Sequence, residues 1–533
     1  MVRAWVHSDR PVTARAILPR HKLRLSVCGG DQVRVLLCCW LWQRRDGQRC
    51  LQARCAPQAT EQRHDDGASP RHRVAGMDIG SCGTLHAGSQ RRGSSRLGRN
   101  DMGSAIPVAI FKVDAEPAVE LPLLRSTLGS TCLDIRSLGA SSGCFAYDSG
   151  YGSTACCQSR ISLVDAESGN VLYRGYPVEQ LAEQCDYLEV ACLLRSGELP
   201  DSRQRASFAA AIGRQAALHE QMVKLYEGFR RDARPMAVMV GVVGALSAFD
   251  HAAGEFNAPE QRQLRFEQVI ARLPTIVAMA YKYSIGQPFM KPRRDLSYAA
   301  NFLYMLFATP REEYVPNPVL VRAVDRMLTL QADFGLDAAS ATVRMAGSSG
   351  ANPYACLSAG IACLSGKAFS GSGEACLAML TGIGDAARAG ELVARARELP
   401  AGARLPGFGG GVCGANDPRL PVMRETCHEV LRETGLADGR FGRLVRAIEG
   451  VALEDRVLVE RRLQPDTEFY CTVAQHALGV PSSMFACTLA MARAAGWMAH
   501  WEEMLSDPEY RIARPRQLYT GPLRRPLAAA PAS

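Results

Sequence analysis

One stretch of the chain, Ala346 to Ala375, limits the fold more than any other. It opens Ala346-Gly-Ser-Ser-Gly-Ala-Asn-Pro353, and its small residues let backbones approach closely. Asn352-Pro353 reads as a helix N-cap followed by proline at the first helical position. Tyr354 to Leu364 is apolar and reads as a buried helix. Gly366 stops it, and a Gly/Ser loop runs to a second helix starting near Glu374. The 533 residues leave room for the large core such helices need. A tight loop between two buried helices is well placed to present one side chain to a pocket. Here that side chain is Phe369, and a phenyl ring cannot move a proton.

Most of the chain reads as helix. Between Pro177 and Ser196, the residues Val178, Leu181, Ala182, Cys185, Leu188 and Cys192 recur at the 3.6-residue period of one amphipathic helix. Asn317-Pro318 caps another, with Leu320, Val324, Met327 and Leu328 on one face. Ser483 to Glu503 is apolar almost all round and is expected to be buried. Residues 118–150 read as extended segments and turns. Ile161–Val164 and Val171–Tyr173 flank Glu167-Ser-Gly-Asn170, a hairpin turn and the one convincing β signal. No βαβ alternation occurs, which argues against a Rossmann or barrel architecture.

Charge is unevenly placed. The net charge is +9, but residues 1–101 hold 18 Lys and Arg against 8 Asp and Glu, so the remainder is near neutral. The folded body therefore gives no argument for nucleic-acid binding. Residues 1–101 show no sustained period and are expected to be a disordered basic segment or an over-extended start, with Met102 beginning the protein proper. A transit peptide fits them less well, because of the acids and the length. Residues 522–533 are expected to form a disordered tail. Of the 19 cysteines six lie before residue 101, and the rest are scattered singly apart from Cys156-Cys157, with no metal spacing and no disulfide framework. That usage fits a reducing compartment. Val35–Trp42 is too short to span a bilayer. A cytoplasmic protein with no metal, no nucleic-acid partner and no membrane is expected.

Several residues carry chemical potential. Gly409, Gly411 and Gly414 satisfy G-x-G-x-x-G, but no strand precedes them, and a flexible loop before a helix at Asp417-Pro418 is the better reading. Arg493 is a lone charge in a long apolar helix and must find an anionic partner, ligand or structural. Arg511–Arg516 is basic and reads as a solvated face unless a guanidinium is aimed into a pocket. Glu468 is a candidate base, with an exposed carboxylate as the default. Beyond residue 101 only His219, His251, His428, His476 and His500 occur, none of them in the glycine loops.

From about residue 117 to 521 the chain resembles bacterial-type citrate synthases. The resemblance is carried by Arg174-Gly-Tyr-Pro-Val-Glu-Gln-Leu-Ala182, Phe229–Val238, Tyr281-Lys-Tyr-Ser-Ile-Gly-Gln-Pro288, Ala346–Pro353, Met423–Val430, Pro481-Ser-Ser-Met-Phe485 and Ala513-Arg-Pro-Arg-Gln-Leu-Tyr-Thr-Gly521. It implies a mainly α, two-domain helical fold with a short N-terminal β-hairpin. The large domain would be 102–369 with 474–521, and 370–473 a smaller domain closing over the substrates. It also implies a homo-oligomer, a dimer or a hexamer of dimers. The family condenses acetyl-CoA with oxaloacetate in tricarboxylic acid cycle entry, so acetyl-CoA would be a co-substrate and no further cofactor is expected. An aspartate takes the methyl proton, histidines act on the two carbonyls and help bind oxaloacetate, and three arginines clamp its carboxylates, one from the neighbouring subunit.

Carried over, the arginines match Arg419, Arg493 and Arg514. The acid–base set does not. Gln331-Ala-Asp-Phe-Gly335 puts Phe334 where the oxaloacetate histidine belongs, and Gly366-Lys-Ala-Phe-Ser-Gly371 puts Phe369 at the enol-stabilising one. Gly407-Phe-Gly-Gly-Gly411 puts Gly410 at the third, and Glu468 replaces the aspartate base. An impaired or inactive paralogue is implied. The alternatives are an active citrate or 2-methylcitrate synthase-type acyltransferase with an unrecognised catalytic set, and a regulatory pseudoenzyme pairing with an active citrate synthase or binding citrate-like carboxylates. The Arg-His-Thr segment of NADH-inhibited members reads Arg214-Gln215-Ala216, so NADH binding is not expected.

Overall fold

The structure, a computed structural model, describes residues 108–113, 117–165, 168–250, 252–366, 371–400, 403–409 and 413–525, with the backbone of three strands at Ser26–Cys28, Cys39–Arg45 and Gln48–Arg54. Phe369, Gly410 and Gly411 lie outside the described residues, as do most of residues 1–101 and all of 526–533. The chain divides into two units, Met1–Ala155 and Cys156–Ser533.

In the first unit, Val108–Phe111 pairs antiparallel with Val119–Leu124, which pairs in turn with Cys132–Leu133. Phe111, Leu121 and Leu138 form a small buried cluster. The stretch 118–150, read as extended segments and turns, thus includes two paired strands and a short helix at Leu138–Ser142. Pro122 masked the longer strand in the sequence, since proline cannot donate to a ladder and is confined to special strand positions.

The second unit opens with the expected hairpin, Ser162–Asp165 against Asn170–Tyr173, in the register Ser162 to Tyr173. After the short strand Tyr176–Pro177 its regular elements are helices. The single helix expected over Pro177–Ser196 is in fact two, Val178–Gln184 and Tyr187–Ser196. Asp186 breaks it. Its carboxylate accepts from Glu189 N at 2.9 Å, and the Glu189 carboxylate accepts from Asp186 N at 2.8 Å. This reciprocal capping box starts a new helix within an unbroken apolar period.

Other helix starts agree with the sequence. Asn317 Oδ1 accepts from Val319 N at 2.9 Å at the head of Pro318–Leu330. Asn352 Oδ1 accepts from Ala355 N at 3.1 Å at the head of Pro353–Leu364. The helix Phe485–Ser506 is buried along most of its length and packs on Tyr187–Ser196, Pro259–Ser284, Ala338–Gly347 and Pro353–Leu364. Its own Trp497 and Trp501, with Tyr354 and Phe266, are fully buried. Apolar burial on this scale is the main stabilising term of the unit. Among the described residues no helix is long and apolar enough to cross a membrane.

Candidate active site

The turn 331–336 ends the Pro318–Leu330 helix and is pinned from three sides. Tyr173 Oη donates to the Asp333 carbonyl at 2.8 Å. Ser162 Oγ donates to Asp333 Oδ2, and Gly335 N donates to the same oxygen at 2.9 Å. Gly335 has φ +64°, a left-handed conformation that glycine adopts without strain. From behind, Gly496 N donates to the Ala332 carbonyl at 3.1 Å. Asp333 is fully buried. Burial alone would raise its carboxyl, but neighbouring His500, the Ser162 hydroxyl and the charge of Arg493 hold it below the usual carboxylate range.

This pinning places the half-buried Phe334 against two arginines. The guanidinium carbon of Arg419 lies 4.4 Å from the ring centroid and that of Arg493 lies 5.4 Å from it. Desolvated cation–π contacts of this kind are worth about 2 kcal/mol each. Arg419, at the head of the helix Arg419–Glu433, is held by a bidentate pair: Nε donates to Asp417 Oδ1 at 2.9 Å and Nη2 to Oδ2 at 2.6 Å. Asp417 Oδ1 also accepts from Arg419 N at 3.0 Å. Arg493 Nη1 donates to Asp337 Oδ2 at 2.6 Å, and Asp337 also caps the helix Ala338–Gly347 through Ser340 N. Arg493 therefore has the structural partner its apolar setting demands. Among the described residues its buried Nε has no hydrogen-bond partner.

Glu468 lies in the first turn of the helix Thr467–Ala477, which Asp466 caps by accepting from Glu468 N at 3.0 Å and Phe469 N at 3.1 Å. The glutamate is not exposed. Ser372, in the first turn of the helix Gly371–Ile383, donates from Oγ to Glu468 Oε2 at 2.6 Å. Burial pushes the Glu468 carboxyl up to about 7, with the Ser372 bond pulling against it and the charge of Asp466 adding to it. A carboxyl ionising there is matched to proton transfer near neutral pH.

Arg514 stands apart, exposed on the extended tail after Ser506. The tail is anchored by Tyr510 Oη, which donates to the carbonyls of Gly347 at 3.1 Å and Ser348 at 3.0 Å, and by Ala513 N to Ser348 Oγ at 3.0 Å. Among the described residues no histidine bonds Arg419, Arg493 or Glu468. His428 lies 3.2 Å from buried Glu449, His476 meets Phe441 edge to face at 4.6 Å between ring centroids, and His219 accepts from Gln221 N. His500 Nε2 stands 3.5 Å from Asp333 Oδ1. His251 lies outside the described residues. In the glycine loop Phe408 bridges to Pro465, and no strand directly precedes it among the described residues. Gly407, at φ +79°, approaches Cys376 and Phe469 so closely that no side chain fits.

Sequence reasoning missed Asp337, Asp417 and Ser372. Asp337 was legible as an N-cap but not as the partner of Arg493, 156 residues away. Ser372 and Glu468 are 96 residues apart and had no shared signal.

The family model for the citrate synthase C-terminal domain matches residues 150–516. The chain belongs to the citrate synthase family. Its fold matches the crystal structure of citrate synthase from Pyrobaculum aerophilum with a TM-score of 0.64 at 30% identity, over 76% of this chain and 97% of that one. The citrate synthase of Thermotoga maritima MSB8 matches with a TM-score of 0.61 at 26% identity, over 72% and 98%. The Thermoplasma acidophilum enzyme, solved as a ternary complex with carboxymethyl coenzyme A and oxaloacetate, shares the fold at 21% identity with a TM-score of 0.63, over 70% and 96%. Within this citrate synthase fold, Arg419 and Arg493 meet a phenyl ring and two internal carboxylates.

Proposed function

We propose that the protein is a citrate synthase paralogue with condensing activity severely impaired or lost. The observation that carries this is the closed circuit around Phe334. Two arginines meant for a dicarboxylate face the ring, and each already pairs with a carboxylate of its own chain, Asp417 or Asp337. An incoming carboxylate must compete with a bidentate intramolecular pair that costs no association entropy. Phe334 offers no polar contact to oxaloacetate, Phe369 no donor to the thioester oxygen and Gly410 no acid for the second carbonyl. Losing one positioned acid or base typically costs about 10²–10⁴ in rate, and an oxyanion-type donor about 10²–10³.

In this reading 370–473 closes on the rest of the chain, and Arg514 serves the site of a second copy in a homo-oligomer. Its exposed position on the tail supports that assignment. A regulatory partnership with an active citrate synthase follows if the fold and oligomer interface persist without turnover. A second reading, a working acyltransferase, is favoured by the carboxyl of Glu468 ionising at about 7 and by Arg493 Nε, which among the described residues has no partner and could donate to an anion.

The test restores Phe334→His, Phe369→His, Gly410→His and Glu468→Asp together and follows CoA release from acetyl-CoA with oxaloacetate. The expected result is a rise of several orders of magnitude over the parent. A parent that already turns over at more than about one per second, a rate typical of working enzymes, sinks the impaired reading.

A further inference from the structure

The Ser372–Glu468 contact has the form of a nucleophile held against its base. We propose that Ser372 and Glu468 act as a nucleophile–base pair that hydrolyses activated acyl compounds, thioesters among them. Only the thioester part rests on the family reading above.

Four features support it. The hydroxyl already donates to the carboxylate at 2.6 Å, the geometry required of a proton about to be abstracted. Ser372 is half-buried in the first turn of a 13-residue helix, whose leading amides have no acceptor within the helix and are the donors assigned here to the oxyanion. Gly371, the residue before Ser372, leaves open space at the head of the helix: a Cβ built there meets no described atom within 4 Å. Burial gives Glu468 a basicity close to that of a free imidazole, which compensates for the missing histidine.

The chemistry balances with water as the one co-reactant. The Ser372 Oγ–H proton passes to Glu468 Oε2 as Oγ bonds to the acyl carbon. The tetrahedral adduct collapses, the C–S or C–O bond breaks, and the leaving group takes the proton from Glu468. A water molecule then attacks the acyl-serine, Glu468 accepts its proton and returns it to Oγ. Serine and carboxylate are regenerated, and the products are a free acid and a thiol or alcohol. In the plain alternative, Ser372 only satisfies an oxygen of a half-buried carboxylate. That alternative predicts no covalent adduct.

The experiment treats the full chain separately with p-nitrophenyl acetate and with acetyl-CoA in the absence of oxaloacetate, then quenches in acid and maps acetylated peptides by mass spectrometry. The expected result is acetylation of Ser372, with an acylation rate that rises with pH through an apparent pKa near 7. Ser372→Ala, shown to be folded by its circular dichroism and melting temperature, should lose the label. Glu468→Gln should slow labelling by about 10²–10⁴, and Glu468→Asp should recover part of it. Absence of the adduct with both reagents, or equal labelling rates in parent and Glu468→Gln, overturns the proposal. Citrate formation is scored in a separate assay with oxaloacetate, so failure of the impaired-synthase reading is seen independently of the adduct.

Discussion

Arg419 and Asp417, two residues apart, meet in a bidentate ion pair at 2.9 and 2.6 Å, and both are buried. Removing one member of such a pair leaves an uncompensated buried charge, which typically costs about 3–5 kcal/mol. Asp417→Ala is therefore expected to lower unfolding free energy by that amount in urea titration. Paired with Arg419→Met, which removes the orphaned charge, most of the loss should be recovered. A single variant as stable as the parent would show that Asp417 does not neutralise Arg419.

Stability should fall as pH rises through the range set by Glu468. Its carboxyl ionises near 7 in the folded chain and near the ordinary glutamate value of about 4.3 when unfolded. Between these values the folded state binds more protons, so stability decreases with pH there. Between pH 5 and pH 8 the expected loss is about 3 kcal/mol. Glu468→Gln should flatten that part of the profile, measured as unfolding free energy at pH 5 and pH 8. An unchanged slope in the variant would assign the loss elsewhere, for example to Asp325, which burial also pushes up to about 7.

Asp333 acts with the opposite sign. Its carboxyl is held below the usual range in the fold, so its contribution is present above its unfolded value of about 3.9 and is lost as pH falls through the folded value. Asp333→Asn should remove that acid-limb contribution and loosen the turn bearing Phe334, seen as a lower melting temperature at pH 7. A melting temperature equal to the parent's would count against the pinning described here.

Gly496 is needed for the approach of the Phe485–Ser506 helix to that turn. A Cβ there would stand 2.7 Å from the Ala332 carbonyl oxygen and crowd Asp333. Overpacking usually costs about 1–3 kcal/mol, and a collision with backbone belongs at the upper end. Gly496→Ala is expected to lower the melting temperature despite alanine's higher helix propensity. A neutral or stabilising effect would refute the close approach.

NADH should not bind at micromolar concentrations. Gln215 ends the helix Ser202–Gln215, and Ala216 is buried, with its carbonyl accepting from Thr275 Oγ1 at 2.8 Å. Neither offers the imidazole and hydroxyl of NADH-inhibited relatives. Saturable fluorescence enhancement of NADH on titration with protein would disprove this.

The sequence by itself determined the mainly helical class, the hairpin before it, the buried helices at Pro353 and Phe485, and the family. These rest on local signals: period, N-caps and motifs spanning a few residues, each readable without knowing what lies opposite. It also determined that Phe334, Phe369 and Gly410 carry no proton, since that is a property of the side chain alone. Only the tertiary structure decided the rest. It broke the helix at Asp186 through a capping box hidden within a continuous apolar period. Whether Arg493 met a ligand or a protein carboxylate was open until Asp337 arrived from 156 residues away. The ionisation of Glu468 depends on desolvation by packed neighbours and on Ser372 at a sequence distance of 96. Burial and long-range pairing set charge energetics because Coulomb interactions and desolvation depend on three-dimensional surroundings, and no local pattern encodes which distant carboxylate or hydroxyl will occupy them.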